Sequence, residues 1–430
     1  MKYDHNKNEI VSPTAEIPIT ISTTAMGLYN RNGNIDTSTD AFGRSRVSQP
    51  YTMFDCSFRY SDSAEKWSTS NTGNSSSSFL ANAACMLLSV NTNSGDKVYR
   101  ETKRVFPYQP GKSLLNLTTF VMNSPKDNLC QRVGYFSTKN GIYLEQANNT
   151  INIVKRSYVD GSVKEVRISQ SDWTVNKLQG SDKNLGNIVL DLSHSQIFWS
   201  DIEWLGVGSV RAGFVINGQY IPCHIFHHAN YETDVYMTTS SLPIRYEIEN
   251  TGVTTSSSNL KQICSTVISE GGYDVKAIQG IVTRTTGIAS NAAATGYSPV
   301  VSIRLASGRE DAIILADAVH TVGDGNGAIY EWALLKNANV VGGSWLTHYA
   351  NNVQYNANAT SMTGGTVLDS GIFTSSQQAS QVVDSSLEYN FSFQLGRDQT
   401  PTSDILTVGV RHLATGGTVY GSLGWKDLTQ

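Results

Sequence analysis

The sequence predicts an all-β protein built as two β-sandwiches behind an extended N-terminal arm. Three observations carry that prediction. Apolar and polar residues alternate with period two in run after run. Turn chemistry falls between the runs. Glycine is abundant at 36 residues while proline is scarce at 10, which suits twisted sheets closed by glycine turns better than a helical bundle.

The elements follow in order. Residues 1–50 hold few large apolar side chains, and Pro13, Pro18 and Pro50 break any regular run, so they read as an arm that orders only against another surface. The polar tract from Lys66 to Ser78 reads as a surface loop or a linker. Residues 51–270 form the first predicted sandwich. Strands are expected at Ile151–Val154, Val163–Ile168 and Ile244–Glu249, and Asp160-Gly161 and Asn217-Gly218 match tight hairpin turns that need positive φ. Residues 271–430 form the second sandwich. Its strands are expected at Val300–Leu305, Ile329–Leu335, Tyr389–Leu395 and Leu406–Arg411, with Asp311–Val319 open between helix and strand. The tract Thr254–Asn259 and the pair Gly271-Gly272 are both boundary candidates, because the run between them fits either sheet.

Composition narrows the function. At 430 residues the chain is long enough for two or three cores. A net charge of −4, with 16% charged residues, supplies no basic field for nucleic acid. No apolar run reaches the ~20 residues of a membrane helix and no secretory block opens the chain, which predicts a protein made inside a cell. The five cysteines at 56, 85, 130, 223 and 264 lack CxxC spacing. No disulfide framework or zinc site is expected; Cys223 and Cys264 read as buried thiols.

Chemistry-bearing residues concentrate in Gln196–Gly208. On a strand, Asp201 and Glu203 would share a face about 6.6 Å apart, while Ile202 and Trp204 point away. Such a pair either serves as acid and base on a glycosidic bond or lines the wet face of a half-buried strand. Trp199 either stacks on a sugar ring or belongs to the core. His224, His227 and His228 cluster, but along a strand 227 points away from 224 and 228, so no metal site is expected. Gly323–Gly327 lacks the spaced ligands of a calcium loop and reads as a connection. No cofactor is predicted, since no nucleotide, phosphate or HExxH fingerprint is present.

Two resemblances add to this. Asp201-Ile202-Glu203-Trp204-Leu205-Gly206 resembles the DIEFLG core of jelly-roll beta-glucanases. It implies a jelly-roll-like first domain, with Glu203 at the acid/base position and Asp201 at the assisting aspartate. The nucleophile's position falls on Trp199, which excludes retaining hydrolysis by that route. Asp40–Pro50 (DAFGRSRVSQP), Gln131–Phe136, Asn140–Leu144 and Trp204–Phe214 resemble a family of virion structural proteins of tailed bacteriophages. That resemblance implies a non-enzymatic particle subunit assembled in the host bacterial cytoplasm onto the head or tail; the 20 Tyr, 7 Trp and 13 Phe, which suit a receptor-facing surface, favour a tail-associated sheath or fibre-like part around a symmetric axis. Its partners would be further copies of itself and other tail, portal or capsid proteins. A host surface receptor or glycan is a further expected contact of the tail part; head decoration or a head fibre is the alternative location, and a carbohydrate-binding or glycan-cleaving module using the Asp201 and Glu203 face is the alternative function. Phe42, Arg44 and Arg46 are the candidate intersubunit contacts, Phe42 as an anchor and the arginines as partners for carboxylates or carbonyls.

Overall fold

In a computed structural model the chain is all-β, with helix among the described residues confined to single 3-10 turns such as Gln170–Asp172. The structure describes residues 2–4, 9–11, 49–181, 187–274, 276–349, 352–376, 379–380, 383–386, 393–398 and 402–429. Within the arm these are the short antiparallel pair Lys2–Asp4 with Glu9–Val11 and residues 49–50, so Phe42, Arg44 and Arg46 lie outside them.

The first sandwich packs a seven-stranded sheet on an eight-stranded one. The seven-stranded sheet runs Lys164–Ser169, Thr150–Ser157, Gly141–Ala147, Leu129–Phe136, Ile244–Asn250, Lys97–Thr102 and Trp67–Thr72, all antiparallel. The other runs Gln219–Phe226, Val210–Ile216, Gln196–Ile202, Leu114–Val121, Ser258–Ser269, Cys85–Val90 and Ser75–Leu80. Tyr51–Ser57 pairs with the far half of Ser258–Ser269. Alternation decides which residues enter: Phe120, Tyr135, Ile142, Phe198, Phe214 and Tyr246 reach the core from six strands and are fully buried. The hairpin at Asn217-Gly218 forms as its residue types require, with φ of 53° and 75°.

The second sandwich faces a four-stranded sheet, Ile278–Ala289, Thr418–Asp427, Ile314–Gly323 and Val383–Ser386, against an eight-stranded one centred on Ser298–Leu305, Ile405–His412 and Ile329–Lys336. Asp311–Val319 resolves in favour of strand, as most of it lies in Ile314–Gly323. The expected run Tyr389–Leu395 lies mostly outside the described residues.

Two local expectations need correction. The tract Lys66–Ser78 is no loop: it forms most of two strands, Trp67–Thr72 and Ser75–Leu80, joined through Gly73 at φ 65°. Trp67 is buried while Ser and Thr occupy the exposed positions, so a polar sequence here is the wet side of two rim strands. Cys264 is only half-buried, because its strand turns it outward.

The two sandwiches are joined by packing and by charge. Ile313, Leu315 and Leu428 of the second complete the core of the first. On the outer face of the seven-stranded sheet an alternating ion-pair ladder runs Arg167–Glu145 (2.8 Å), Glu145–Arg132 (2.9 Å), Arg132–Glu247 (2.5 Å), Glu247–Arg245 (2.5 Å) and Arg245–Glu101 (3.0 Å). Its last rung, Glu101–Arg397 at 3.0 Å, crosses to the second sandwich. Beside it Arg397 N donates to Lys103 O at 2.9 Å and Gln394 Nε2 to Val105 O at 3.0 Å. These contacts fix the walls of the cleft described next.

Candidate functional site

The segment singled out by sequence is built differently from the expectation. Strand Gln196–Ile202 sends Phe198 and Ile202 into the core and Trp199 and Asp201 to the opposite face of the sheet. That face is not open here. Trp199 is 3% exposed, packed with Leu115 and Ile225, its ring 5.8 Å from that of Tyr220. Asp201 is fully buried and ion-paired with Arg211, its cross-strand neighbour in register. Glu203 falls beyond the strand end: its backbone N donates to Ser209 O (3.1 Å), its Oε2 accepts from Ser209 N (3.3 Å), and its carbonyl accepts from Tyr236 Oη (2.8 Å). Glu203 thus closes the 203–209 loop, and Asp201 holds an arginine inside the protein. Neither the acid–base pair nor the wet-face alternative describes them, because the strand ends at Ile202 and its outer face is covered.

Two of the three clustered histidines also turn inward. His224 is buried edge-on to Phe226 at 4.5 Å, with Thr174 Oγ1 3.3 Å from Nδ1. His228 is buried, its Nδ1 2.6 Å from Gly208 O and its ring stacked 3.9 Å from that of Tyr236. Burial pushes both imidazoles down to about 4. His227 alone is exposed. Among the described residues no group of three or more His, Cys, Asp or Glu is arranged to hold a metal ion. Gly323–Gly327 joins two strands, and Asp324 Oδ1 caps the backbone N of Thr418 at 2.5 Å.

The structure instead opens a cleft of about 510 Å³ where the two sandwiches meet. One wall is the turn Ser137–Asn140 with Tyr158 and the segment Thr238–Pro243; the other is Gly308–Asp311, with Arg397 at the junction. Asn140 is the keystone. It is buried, its Oδ1 accepts from Tyr158 N and Thr238 N (both 3.2 Å), and its Nδ2 donates to Thr238 Oγ1 (2.7 Å). Three segments are thereby locked together by one side chain. Lys139 Nζ lies 5.0 Å from the centre of the Tyr158 ring, and Ser137 Oγ accepts from Lys139 N and Asn140 N at 3.2 Å. The cleft therefore offers an aromatic ring, several hydroxyls and a mixture of cations and carboxylates on a braced frame. A second depression of about 340 Å³, on the outer face of the eight-stranded sheet, is lined by Leu117, Ile197, Cys264 and Thr266 and is chiefly apolar.

Sequence reasoning missed the cleft because its walls come from separate turns that only the packed sandwiches bring together. The one available signal was two clusters of small polar residues at turns, Ser137-Thr138-Lys139-Asn140 and Thr238-Thr239-Ser240-Ser241.

No protein-family model and no curated protein matches the chain. Solved structures do show similarity. They include a glycoside hydrolase family 16 protein from Mycobacterium smegmatis (TM-score 0.35, 12% identity, 50% of this chain and 100% of that one). A family 16 enzyme from the mixed-linkage glucan locus of Bacteroides ovatus, in complex with its product, gives 0.34, 10%, 50% and 99%. The carbohydrate recognition domain of Emp47p gives 0.29, 10%, 48% and 89%. At such identities the likeness concerns the layout of strands alone. The expectation of a non-enzymatic chain is corrected to this extent: the solved structures to which the chain is similar include glycoside hydrolases.

Proposed function

We propose that the chain binds carbohydrate in the cleft between its two sandwiches, and that it does so as a component of a tailed-phage particle whose ligand is a glycan of the host surface. The observation that carries the binding reading is the Tyr158 ring set among the hydroxyls of Ser137, Thr138, Thr238 and Thr239 on a frame braced by Asn140. A sugar has an apolar C–H face that packs on an aromatic ring and a rim of hydroxyls that exchange hydrogen bonds with Ser, Thr, Asn and charged groups. Concave sites with a few convergent polar groups are where such ligands bind. The particle reading rests on the motif resemblance at Asp40–Pro50 and Trp204–Phe214.

The test is a glycan-array screen of the full chain, repeated with Tyr158→Ala. Binding to a defined class of glycan that the substitution weakens about tenfold or more supports the reading, in line with loss of a stacking contact. No binding to any arrayed glycan, or binding that Tyr158→Ala leaves intact, overturns it. Reducing-end release on the same glycans tells binding from cleavage.

A further inference from the structure

We propose that the rim strand Ile278–Ala289 is where two copies of this chain meet, edge to edge, as an antiparallel pair. This is independent of the cleft. Among the described residues the strand has one sheet partner, Thr418–Asp427, leaving its other edge at the end of the four-stranded sheet. It spans 12 residues, IQGIVTRTTGIA, without Lys, Asp, Glu or Pro. Its single charge is turned away: Arg284 is 6% exposed, with its guanidinium on Pro299 O (3.1 Å) and Ala359 O (2.8 Å). What it shows to solvent is apolar or neutral. Ile278 and Ile281 are 59% and 55% exposed, Gln279, Thr283 and Thr285 are exposed, and the open ring of Tyr349 reaches Gln279 O at 3.4 Å.

An unpaired strand edge presents backbone donors and acceptors to any passing strand, and proteins that stay monomeric guard it with charge, proline, short length or a covering segment. The first sandwich does so on two of its rims. Its rim strand Lys164–Ser169 is six residues long and carries Lys164, Glu165 and Arg167. The rim strand Gln219–Phe226 of the facing sheet is covered by a segment whose Val175 N and Asn176 N donate to Cys223 O at 3.0 and 3.3 Å. Among the described residues the stretch from Ile278 to Arg284 has no proline, no charge turned to solvent and no cover beyond the Tyr349 hydroxyl on Gln279 O, and its pairing with Thr418–Asp427 is uninterrupted.

A second copy is the occupant that fits. An antiparallel pair about a two-fold axis at Ile281 sets Ile281 against itself and Gln279 against Thr283, so β-branched and neutral side chains face each other with no like charges opposed. A charged partner strand would find no counter-charge on this edge.

The experiment is sedimentation analysis of the full chain across a concentration series, with Ile281→Lys and, as a control, Val166→Lys on the guarded rim of the first sandwich. The expected result is a reversible dimer whose Kd rises roughly tenfold or more in Ile281→Lys, where two lysines would face each other across the axis, and is unchanged in Val166→Lys. Circular dichroism checks that each variant is folded, and Thr283→Lys takes the place of Ile281→Lys if that one is not. A wild-type chain that stays monomeric at its highest soluble concentration overturns the proposal. So does a dimer indifferent to the lysine at 281 or 283, or one that Val166→Lys breaks equally.

Discussion

Replacing Glu247 by Gln should unlock the ladder that runs across the first sandwich to the second. Glu247 is buried, and its two oxygens take Arg132 (2.5 Å), Lys97 (3.2 Å) and both Nε and Nη2 of Arg245 (3.0 and 2.5 Å). The side chain of Arg245 is 4% exposed and that of Arg132 13%, so away from water a neutral amide would take one carboxylate from each, leaving Arg245 on Glu101 and Arg132 on Glu145 and Glu249. Breaking a buried pair from one side costs about 3–5 kcal/mol. For a sandwich of this size that lowers the midpoint by about 6–20 °C. Scanning calorimetry of the full chain measures it. The pH dependence supplies a second reading. Burial opposes ionisation of Glu247, but the charges of Arg245, Arg132 and Lys97 outweigh it and hold the carboxyl far below its ordinary range. A carboxyl depressed in the folded state contributes stability above its unfolded value of about 4.3 and loses it as pH falls towards the folded value. The wild-type chain should therefore weaken steeply below about pH 4.3, and Glu247→Gln less steeply. Glu165, held at about 2 against the burial penalty by Arg156 and the Tyr143 hydroxyl, retains its share of that slope in the variant. A midpoint shift under about 2 °C, with an unchanged acid slope, would refute the claim that the ladder is a coupled unit.

Two further outcomes follow from local geometry. Gly141 sits at φ 153°, and a Cβ there would lie 2.1 Å from Cβ of Phe136, so Gly141→Ala should destabilise the first sandwich by about 3 kcal/mol or more, read by urea unfolding. Of the five thiols, Cys264 is half-buried and the rest are buried, so a thiol reagent on the native chain should modify Cys264 first, with peptide mapping as the readout; earlier labelling at Cys223 would contradict the burial described.

Legibility from sequence tracked how local the cause was. Alternating runs such as Ile244–Glu249 and the Asn217-Gly218 turn depend on neighbours in the chain, and they form as read. The two rim strands joined through Gly73, one in each sheet, were hidden because rim strands bury one side only, leaving Ser, Thr and Asn to dominate the sequence. Asp201 misled for the opposite reason: its cross-strand partner Arg211 lies ten residues on, and only the register shows that the carboxylate is spent inside the protein. The cleft lay mostly beyond local reasoning, since Tyr158 and Thr238, joined through Asn140, meet Arg309 only when Ile313, Leu315 and Leu428 seat one sandwich on the other.

The most direct measurement is a structure of the full chain soaked with the glycan that the array selects. The account predicts a sugar ring lying against Tyr158, with its hydroxyls on Ser137, Thr238 or Arg309. A glycan seated elsewhere, such as the apolar depression beside Cys264, or an empty cleft at saturating ligand, would contradict it.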